Sequence, residues 1–60
     1  MNKFITVTGY DDLTYTFNIS HIICVKRDAR GAIIYHTNME NADYTPVRES
    51  YDEVMIMINQ

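Results

Sequence analysis

The sequence has no tryptophan, one cysteine, one proline and two glycines in 60 residues, and these shortages exclude several classes of protein. Cys24 has no second cysteine to pair with, so an internal disulfide and a thiolate-rich zinc site are both excluded. A single cysteine suits a reducing compartment, so we expect the protein to be cytoplasmic. The two glycines, Gly9 and Gly31, lie far apart, which excludes a glycine-rich phosphate-binding loop.

Long apolar runs and an excess of positive charge are also missing. No run approaches the roughly 20 apolar residues that span a bilayer, and the first residues lack the apolar core of a signal peptide, so we predict no membrane insertion. Five basic and eight acidic residues give a formal charge of −3, which opposes non-specific binding to nucleic acid. A chain of this length makes one domain, residues 1–60, and its margin of stability is thin.

The rest of the chain is rich in short segments with the period of two that is typical of β-strands. Five segments are predicted to form strands: residues 3–8, 13–18, 22–25, 32–37 and 42–47. The first two flank a polar turn at residues 9–12 and predict a hairpin. A second hairpin turns at residues 27–31, where Gly31 needs a positive φ, and a loop at residues 38–41 leads into the fifth strand. Pro46 cannot donate to a neighbouring strand, so we expect it at a sheet edge or pointing outward.

A helix is predicted to begin at Ser50, because Ser50 and Glu53 have the spacing of a capping box. Acidic residues in the first turn also suit the positive end of the helix dipole. At about 100° per residue, one broad apolar sector contains Tyr51, Val54, Met55, Met57 and Ile58. Ile56 falls on the opposite, polar side, so we predict that it contacts another chain, either a second copy or a partner protein.

These elements predict an α+β fold, a small antiparallel β-meander of about five strands with one C-terminal helix. A single helix covers only one face of a sheet, whereas the consecutive apolar residues 22–25 predict burial on both faces. Two arrangements accommodate the second face: the sheet curls into a small half-barrel, or the face meets another chain. We favour the second, because a short chain closes a barrel poorly, and we therefore predict a homo-oligomer.

The sequence carries no pattern that indicates a catalytic, cofactor-binding or metal-binding site. His21, Cys24 and His36 are the side chains best suited to zinc, but they lack paired spacings, and His21 and Cys24 would point to opposite faces of a strand. Cys24 lies in the most apolar segment, where burial would keep the thiol unreactive as a nucleophile. We therefore predict that the protein is not an enzyme.

Lys26, Arg27 and Arg30 form the basic cluster of the sequence, around the turn between the third and fourth predicted strands. They are candidate partner contacts, able to grip a phosphate or an acidic patch on a protein. Alternatively, they only keep the hairpin soluble and hinder edge pairing. A nucleic-acid-binding module that uses this hairpin is the alternative function, and three charges on an acidic chain make it the weaker one.

Three stretches resemble the small FlbD/SwrD-type flagellar and swarming motility proteins. They are Asn18 to Ile22, "GAIIYHTN" at residues 31–38 and "YTPVRESYDEVMIMI" at residues 44–58. The last carries a V-x-E-S-x-E-E-V motif at Val47, Glu49, Ser50, Glu53 and Val54, with Asp52 in place of the first Glu of the pair. The resemblance implies an accessory factor that acts by contacting other proteins, and it names no catalytic residue.

The run of strands is also similar to the core of LytTR-type DNA-binding domains, which depend on basic loops that reach DNA. Here only Lys26, Arg27 and Arg30 could serve that purpose. From the sequence we therefore expect a non-enzymatic interaction or accessory module that self-associates and binds an unidentified protein, with a LytTR-like regulatory module as the alternative.

Overall fold

A computed structural model describes residues 3–37 and 42–60 of the protein. Its elements are β1 (Phe4–Thr8), β2 (Thr14–Asn18), a 3-10 turn (Ile19–His21), β3 (Ile22–Asp28), β4 (Gly31–Thr37), β5 (Ala42–Val47) and α1 (Tyr51–Ile58). The strands pair antiparallel and the helix follows them, so the predicted α+β meander with a C-terminal helix is confirmed. The predicted loop at residues 38–41 lies outside the described residues.

The five strands form two sheets, β1-β2 and β3-β4-β5. The sheets join at one corner, where Gly9 bridges to Val47 and the backbone N–H of Arg48 donates to the carbonyl of Thr8 over 2.8 Å. The order of strands around the molecule is therefore β2-β1-β5-β4-β3. This arrangement curls the strands around one core and leaves β2 and β3 as the two end strands.

Six apolar side chains form the core on the concave side of this curve. They are Ile5, Val7, Ala32, Ile34, Val47 and Val54, each at most 3% exposed. Ile5 and Val7 alternate with more exposed residues along β1, which confirms the alternation predicted for this strand. Val54 brings α1 against both sheets on the same concave side. We call the side of each sheet that bears core residues its inner face and the other side its outer face.

β3 departs from its prediction. The sequence predicted a strand at residues 22–25 that is buried on both faces, whereas β3 extends to Asp28, Ile23 is 56% exposed and Cys24 is exposed. The reason is its position at the end of the sheet, where β4 is its hydrogen-bonded neighbour and α1 packs on its inner face. A bulge between Ile22 and Cys24 shifts the register as well. The predicted burial of Cys24 is therefore wrong.

Two residues with special backbone properties lie where the sequence placed them. Gly31 has a φ of 153°, and a side chain there would overlap the carbonyl oxygen of Val47, so this turn requires glycine. Pro46 lies in β5, at one edge of the three-stranded sheet and opposite Ile33 on its outer face. Both predictions are confirmed.

α1 begins where the sequence predicted. The Ser50 hydroxyl accepts a hydrogen bond from the Glu53 N–H, and the Glu53 carboxylate accepts one from the Ser50 N–H, each over 3.1 Å. These two bonds complete the capping box. At the far end, the Lys3 ammonium donates to the Ile58 carbonyl over 2.9 Å, where a positive charge suits the helix dipole. Within residues 3–37 and 42–60, no helix is long and apolar enough to cross a membrane.

Candidate interaction surfaces

The outer face of the three-stranded sheet carries mostly apolar and aromatic side chains. Neighbours along a strand alternate in direction, so Ile33 and Tyr35 point away from the core into which Ala32 and Ile34 point. Residues paired across strands share a face. Asp28, which pairs with Gly31, lies at one end of this face, and the middle of the face consists of Cys24, Lys26, Ile33, Tyr35, Tyr44 and Pro46. We call these six residues the apolar sheet face.

Two tyrosines occupy the middle of the apolar sheet face. The Tyr35 and Tyr44 rings lie 5.9 Å apart and are tilted by 38°, a favourable arrangement for an aromatic pair. Tyr44 is 59% exposed although it belongs to a regular strand. Lys26 lies opposite Ile33, and Asp28 lies two residues farther along β3 on the same side of the sheet. The result is an aromatic surface bordered along β3 by one positive and one negative charge.

A second surface lies on α1, which packs against the inner side of the sheets. A shallow cleft there is lined by Glu49, Glu53, Ile56 and Met57, and we call it the helix cleft. Ile56 is 61% exposed, as the helical period predicted. The Glu49 carboxylate accepts a hydrogen bond from the Thr8 N–H over 2.8 Å, which fixes its position beside the helix. Among the described residues, no lysine or arginine forms an ion pair with Glu49 or Glu53.

The three basic residues predicted as partner contacts do not form one patch. Lys26 belongs to the apolar sheet face, whereas Arg27 turns to the other side, 3.2 Å from the Asp52 carboxylate and 4.4 Å above the Tyr51 ring. Both members of this ion pair are largely exposed, so it contributes at most about 1 kcal/mol. Its position places the Arg27 charge beside the helix.

Arg30 belongs to a cluster around Tyr10 that sequence reasoning missed. The Arg30 guanidinium lies 4.6 Å and the Arg48 guanidinium 5.5 Å from the centre of the Tyr10 ring. Arg48 also pairs with Asp12 over 3.0 Å, and the Tyr10 hydroxyl donates to Asp28 over 3.3 Å. The cluster joins three turns that are distant in sequence, so no local pattern would have indicated it. Its carboxylates offset the arginine charges.

A short hydrogen bond lies in the turn between β1 and β2. The Tyr15 hydroxyl donates to the Asp11 carboxylate over 2.5 Å, and the Leu13 N–H donates to the same side chain over 3.0 Å. These bonds, chiefly the one from Tyr15, hold the pKa of Asp11 below its ordinary value. The same bond to Asp11 raises the pKa of Tyr15. Because the pair is exposed and its bonds are local, we assign it to the turn.

The residues suited to zinc are not brought together. His36 points to the inner side, where its ring lies 4.8 Å from the Phe17 ring and its Nε2 lies 2.8 Å from the Thr45 hydroxyl. Cys24 points to the opposite side of the same sheet, beside Tyr35. Within the described part of the chain, no three His, Cys, Asp or Glu side chains are arranged to hold a metal ion.

Comparison with known proteins does not assign a role to these surfaces. No family model, curated protein or solved structure matches the chain. The apolar sheet face and the helix cleft therefore have to be interpreted from their own chemistry.

Proposed function

We propose that the protein is a non-enzymatic interaction module that self-associates through the apolar sheet face. The observation that carries this proposal is the aromatic pair of half-buried Tyr35 and 59% exposed Tyr44, beside half-buried Ile33 and Pro46 on the outer face of the sheet. Aromatic side chains are enriched in protein interfaces, and charged ones are depleted from interface centres. A second copy of the chain is the occupant that we propose.

The size of the face indicates a weak interaction. Three strands about 4.8 Å apart and some six residues long present a projected area of roughly 300 Å². A standard interface buries about 800 Å² on each partner. That amount would be nearly a fifth of the 4293 Å² surface of this small protein. We therefore expect association in the micromolar range or weaker, readily reversible on dilution.

The described structure favours this function over binding to nucleic acid. A basic hairpin would need its charges directed together toward a phosphate backbone. Instead, Lys26, Arg27 and Arg30 enter three different surroundings, and Arg27 is paired with Asp52. The formal charge of −3 opposes the same function. The proposal therefore takes protein surfaces as the partners and keeps nucleic acid as the weaker alternative.

The FlbD/SwrD-type resemblance fits an accessory role but stays a prediction. Its motif residues have structural roles in this chain, since Val47 and Val54 belong to the core and Ser50 and Glu53 cap α1. Any sheet followed by an amphipathic helix needs such residues. A cytoplasmic location is likewise part of the proposal, since an exposed thiol such as Cys24 persists best in a reducing compartment.

Sedimentation equilibrium over about 10 µM to 1 mM tests the proposal in the expected affinity range. Wild-type protein should show reversible association, and the double variant Tyr35→Thr, Tyr44→Thr should weaken it at least tenfold while keeping good strand residues. The matched control is Phe4→Thr, which removes a large side chain, 61% exposed, from the other sheet. A wild-type protein that stays monomeric at the highest concentration would contradict the proposed function.

A further inference from the structure

A cleft opens beside the corner where the two sheets join. At that corner Gly9 bridges to Val47, and next to the bridge the turn before β2 and the edge of β5 leave a space of about 150 Å³ between them. A cavity of this size is large enough for a small organic molecule such as benzene. We call it the tyrosine cleft, and its lining residues are Gly9, Tyr10, Asp11, Tyr15, Thr45 and Pro46.

Gly9 allows two side chains to lie directly over the backbone in this cleft. A Cβ at position 9 would lie 2.6 Å from Oδ1 of Asp11 and 2.7 Å from the ring of Tyr15, too close for either group to stay in place. The backbone angle is not the reason for this glycine, because Gly31 is the glycine with a positive φ. The missing side chain therefore lets a carboxylate and an aromatic ring lie side by side in the lining.

The tyrosine cleft combines a negative charge with aromatic rings. Asp11 is its charged lining residue, and hydrogen bonds, chiefly the one from Tyr15, hold its pKa below the ordinary value, so the carboxylate is ionised at neutral pH. The faces of tyrosine rings attract cations. The Tyr10 ring already has such contacts, since the guanidinium groups of Arg30 and Arg48 lie 4.6 Å and 5.5 Å from its centre.

The hydrogen-bond donors of the lining favour a cation over an anion. The Tyr10 hydroxyl donates to Asp28, and the Tyr15 hydroxyl donates to Asp11, so both phenol protons are engaged with carboxylates of the chain. Pro46 has no N–H to offer. An anion needs free donors, whereas a cation needs negative charge and ring faces, and the cleft provides the latter.

The two arginines near the cleft do not reverse its charge. Arg48 pairs with Asp12 over 3.0 Å, and Arg30 lies over the ring whose hydroxyl donates to Asp28. Together with Asp11, three carboxylates accompany two guanidinium groups in this part of the molecule. The charge that remains is negative, and it belongs to the carboxylate in the lining.

We infer that the tyrosine cleft binds a trimethylammonium group, such as the head of choline or of a methylated lysine. A quaternary ammonium has no N–H group, so it needs no ring of hydrogen-bond acceptors. Its methyl groups suit the tyrosine rings and the ring of Pro46, and its charge suits the carboxylate of Asp11. This site goes beyond the proposed self-association and does not depend on it.

Titration with choline, followed by amide NMR, tests the site. The amide signals of Tyr10 and Tyr15 should shift with a Kd of about 1–10 mM, as expected for a small exposed site. The uncharged isostere of choline, in which carbon replaces the nitrogen, has the same shape and should bind at least about fivefold more weakly. Equal binding of the isostere, or no shift with choline in this range, would overturn the inference.

Asp11→Asn and Asp12→Asn form a matched pair of variants. Each removes one negative charge, but Asp11 lines the cleft, whereas Asp12 pairs with Arg48 beside it. Asparagine keeps an oxygen that can accept the bond from Tyr15, and it tolerates the φ of 65° at position 12. Asp11→Asn should weaken choline binding by about two- to fivefold, and Asp12→Asn should have less than half of that effect. Equal weakening would indicate only diffuse attraction and would contradict the site.

The aromatic wall has its own test. Tyr15→Leu should weaken choline binding by about two- to tenfold, whereas Tyr15→Phe keeps the ring and should bind like wild type. Tyr15 packs against the core, so circular dichroism establishes that the leucine variant is folded, and Tyr10→Leu replaces it if it is not. Unchanged binding in a folded leucine variant would refute the part assigned to the rings.

A second ligand distinguishes a free trimethylammonium compound from one carried by a protein. The blocked amino acid Nα-acetyl-trimethyllysine amide is titrated in the same way as choline. Tighter binding than choline would assign the site to a methylated lysine, and weaker binding would assign it to a small molecule; both results support the ligand class. Binding of neither compound would overturn it. The titrations use protein dilute enough to be monomeric, so they are decided separately from self-association.

Discussion

The outer faces of the two sheets differ in chemistry although their strands have the same pairing geometry. On the two-stranded sheet, β1 presents Phe4, Thr6 and Thr8, and β2 presents Thr14, Thr16 and Asn18. The Thr6 and Thr16 hydroxyls lie 3.1 Å apart in a cross-strand hydrogen bond. On the three-stranded sheet, the apolar sheet face presents Ile33, Tyr35, Tyr44 and Pro46 in the corresponding positions.

The difference shows what each face is suited to contact. Threonine combines high strand propensity with a hydroxyl that water satisfies, so the two-stranded sheet has an ordinary solvent-facing side. Tyrosine and isoleucine fulfil the strand preference equally well, and on the three-stranded sheet Tyr44 leaves an aromatic ring exposed. Backbone requirements therefore do not explain the tyrosine pair, since the other sheet meets them mostly with polar residues, with Phe4 as the exception. The proposed self-association would account for it.

The largest expected effect is on the free energy of unfolding, and it distinguishes the two faces of β4. Ile34 is fully buried, whereas its neighbour Ile33 points outward. Ile34→Ala should lower the free energy of unfolding by about 2–5 kcal/mol, and Ile34→Val by about 0.5–1.5 kcal/mol, through lost burial and cavity formation. The same changes at Ile33 should cost less than half as much in the monomer. Urea denaturation at low protein concentration measures both.

Equal losses at Ile33 and Ile34 would contradict the assignment of inner and outer faces. The valine variants keep the test usable, because an alanine at position 34 removes much of the stability available to so small a domain. For self-association we expect the opposite ranking of the two positions. Ile33→Val should alter the association constant, whereas Ile34→Val should leave it unchanged while the protein is folded.

A smaller effect is expected at the start of the helix that covers the inner face. Ser50→Ala removes the hydroxyl that accepts the Glu53 N–H and should cost about 1 kcal/mol of unfolding free energy. Ser50→Asp keeps a capping oxygen and is the matched control, with stability close to wild type. An unchanged urea midpoint in Ser50→Ala would mean that this hydrogen bond contributes nothing in solution.

The smallest expected effect is on the pKa of Asp11, in the turn between β1 and β2. Tyr15 and Leu13 hold the pKa of Asp11 below 3.8, so their contribution is fully present above that pH and is lost as the pH falls through the lower value. In Tyr15→Phe the midpoint of the Asp11 carboxyl titration, followed by carbon NMR, should rise toward 3.8. Tyr35→Phe, on the other sheet, should leave it unchanged, and an unmoved midpoint in Tyr15→Phe would refute the assigned cause.

The features that were predicted from the sequence have local causes. The capping box needs only Ser50 and Glu53 three positions apart, the turn needs Gly31 for its backbone angle, and the exposure of Ile56 follows from the helical period. Each depends on residues within one element. The alternation along β1 is of the same kind, since the direction of Ile5 determines that of Val7.

The features that were missed depend on which strands lie side by side. Cys24 was predicted to be buried because its segment is apolar, but its exposure follows from the place of β3 at the end of the sheet. The tyrosine pair likewise requires the register that sets Tyr35 opposite Tyr44. The ring of Tyr10 between two arginines needs three turns to meet. No window of neighbouring residues carries that information.

The bond from Lys3 to the Ile58 carbonyl has a consequence for how the chain folds. It joins residues 55 positions apart, and the bond from Thr8 to Glu49 joins residues 41 apart. β1 also packs against α1, the last element of the chain. Each hairpin can form by itself within about 1–10 µs, but closing such long loops costs entropy before any contact stabilises them. Folding should therefore be slow for a chain of this size, with the union of the two hairpins and the helix as its rate-limiting step.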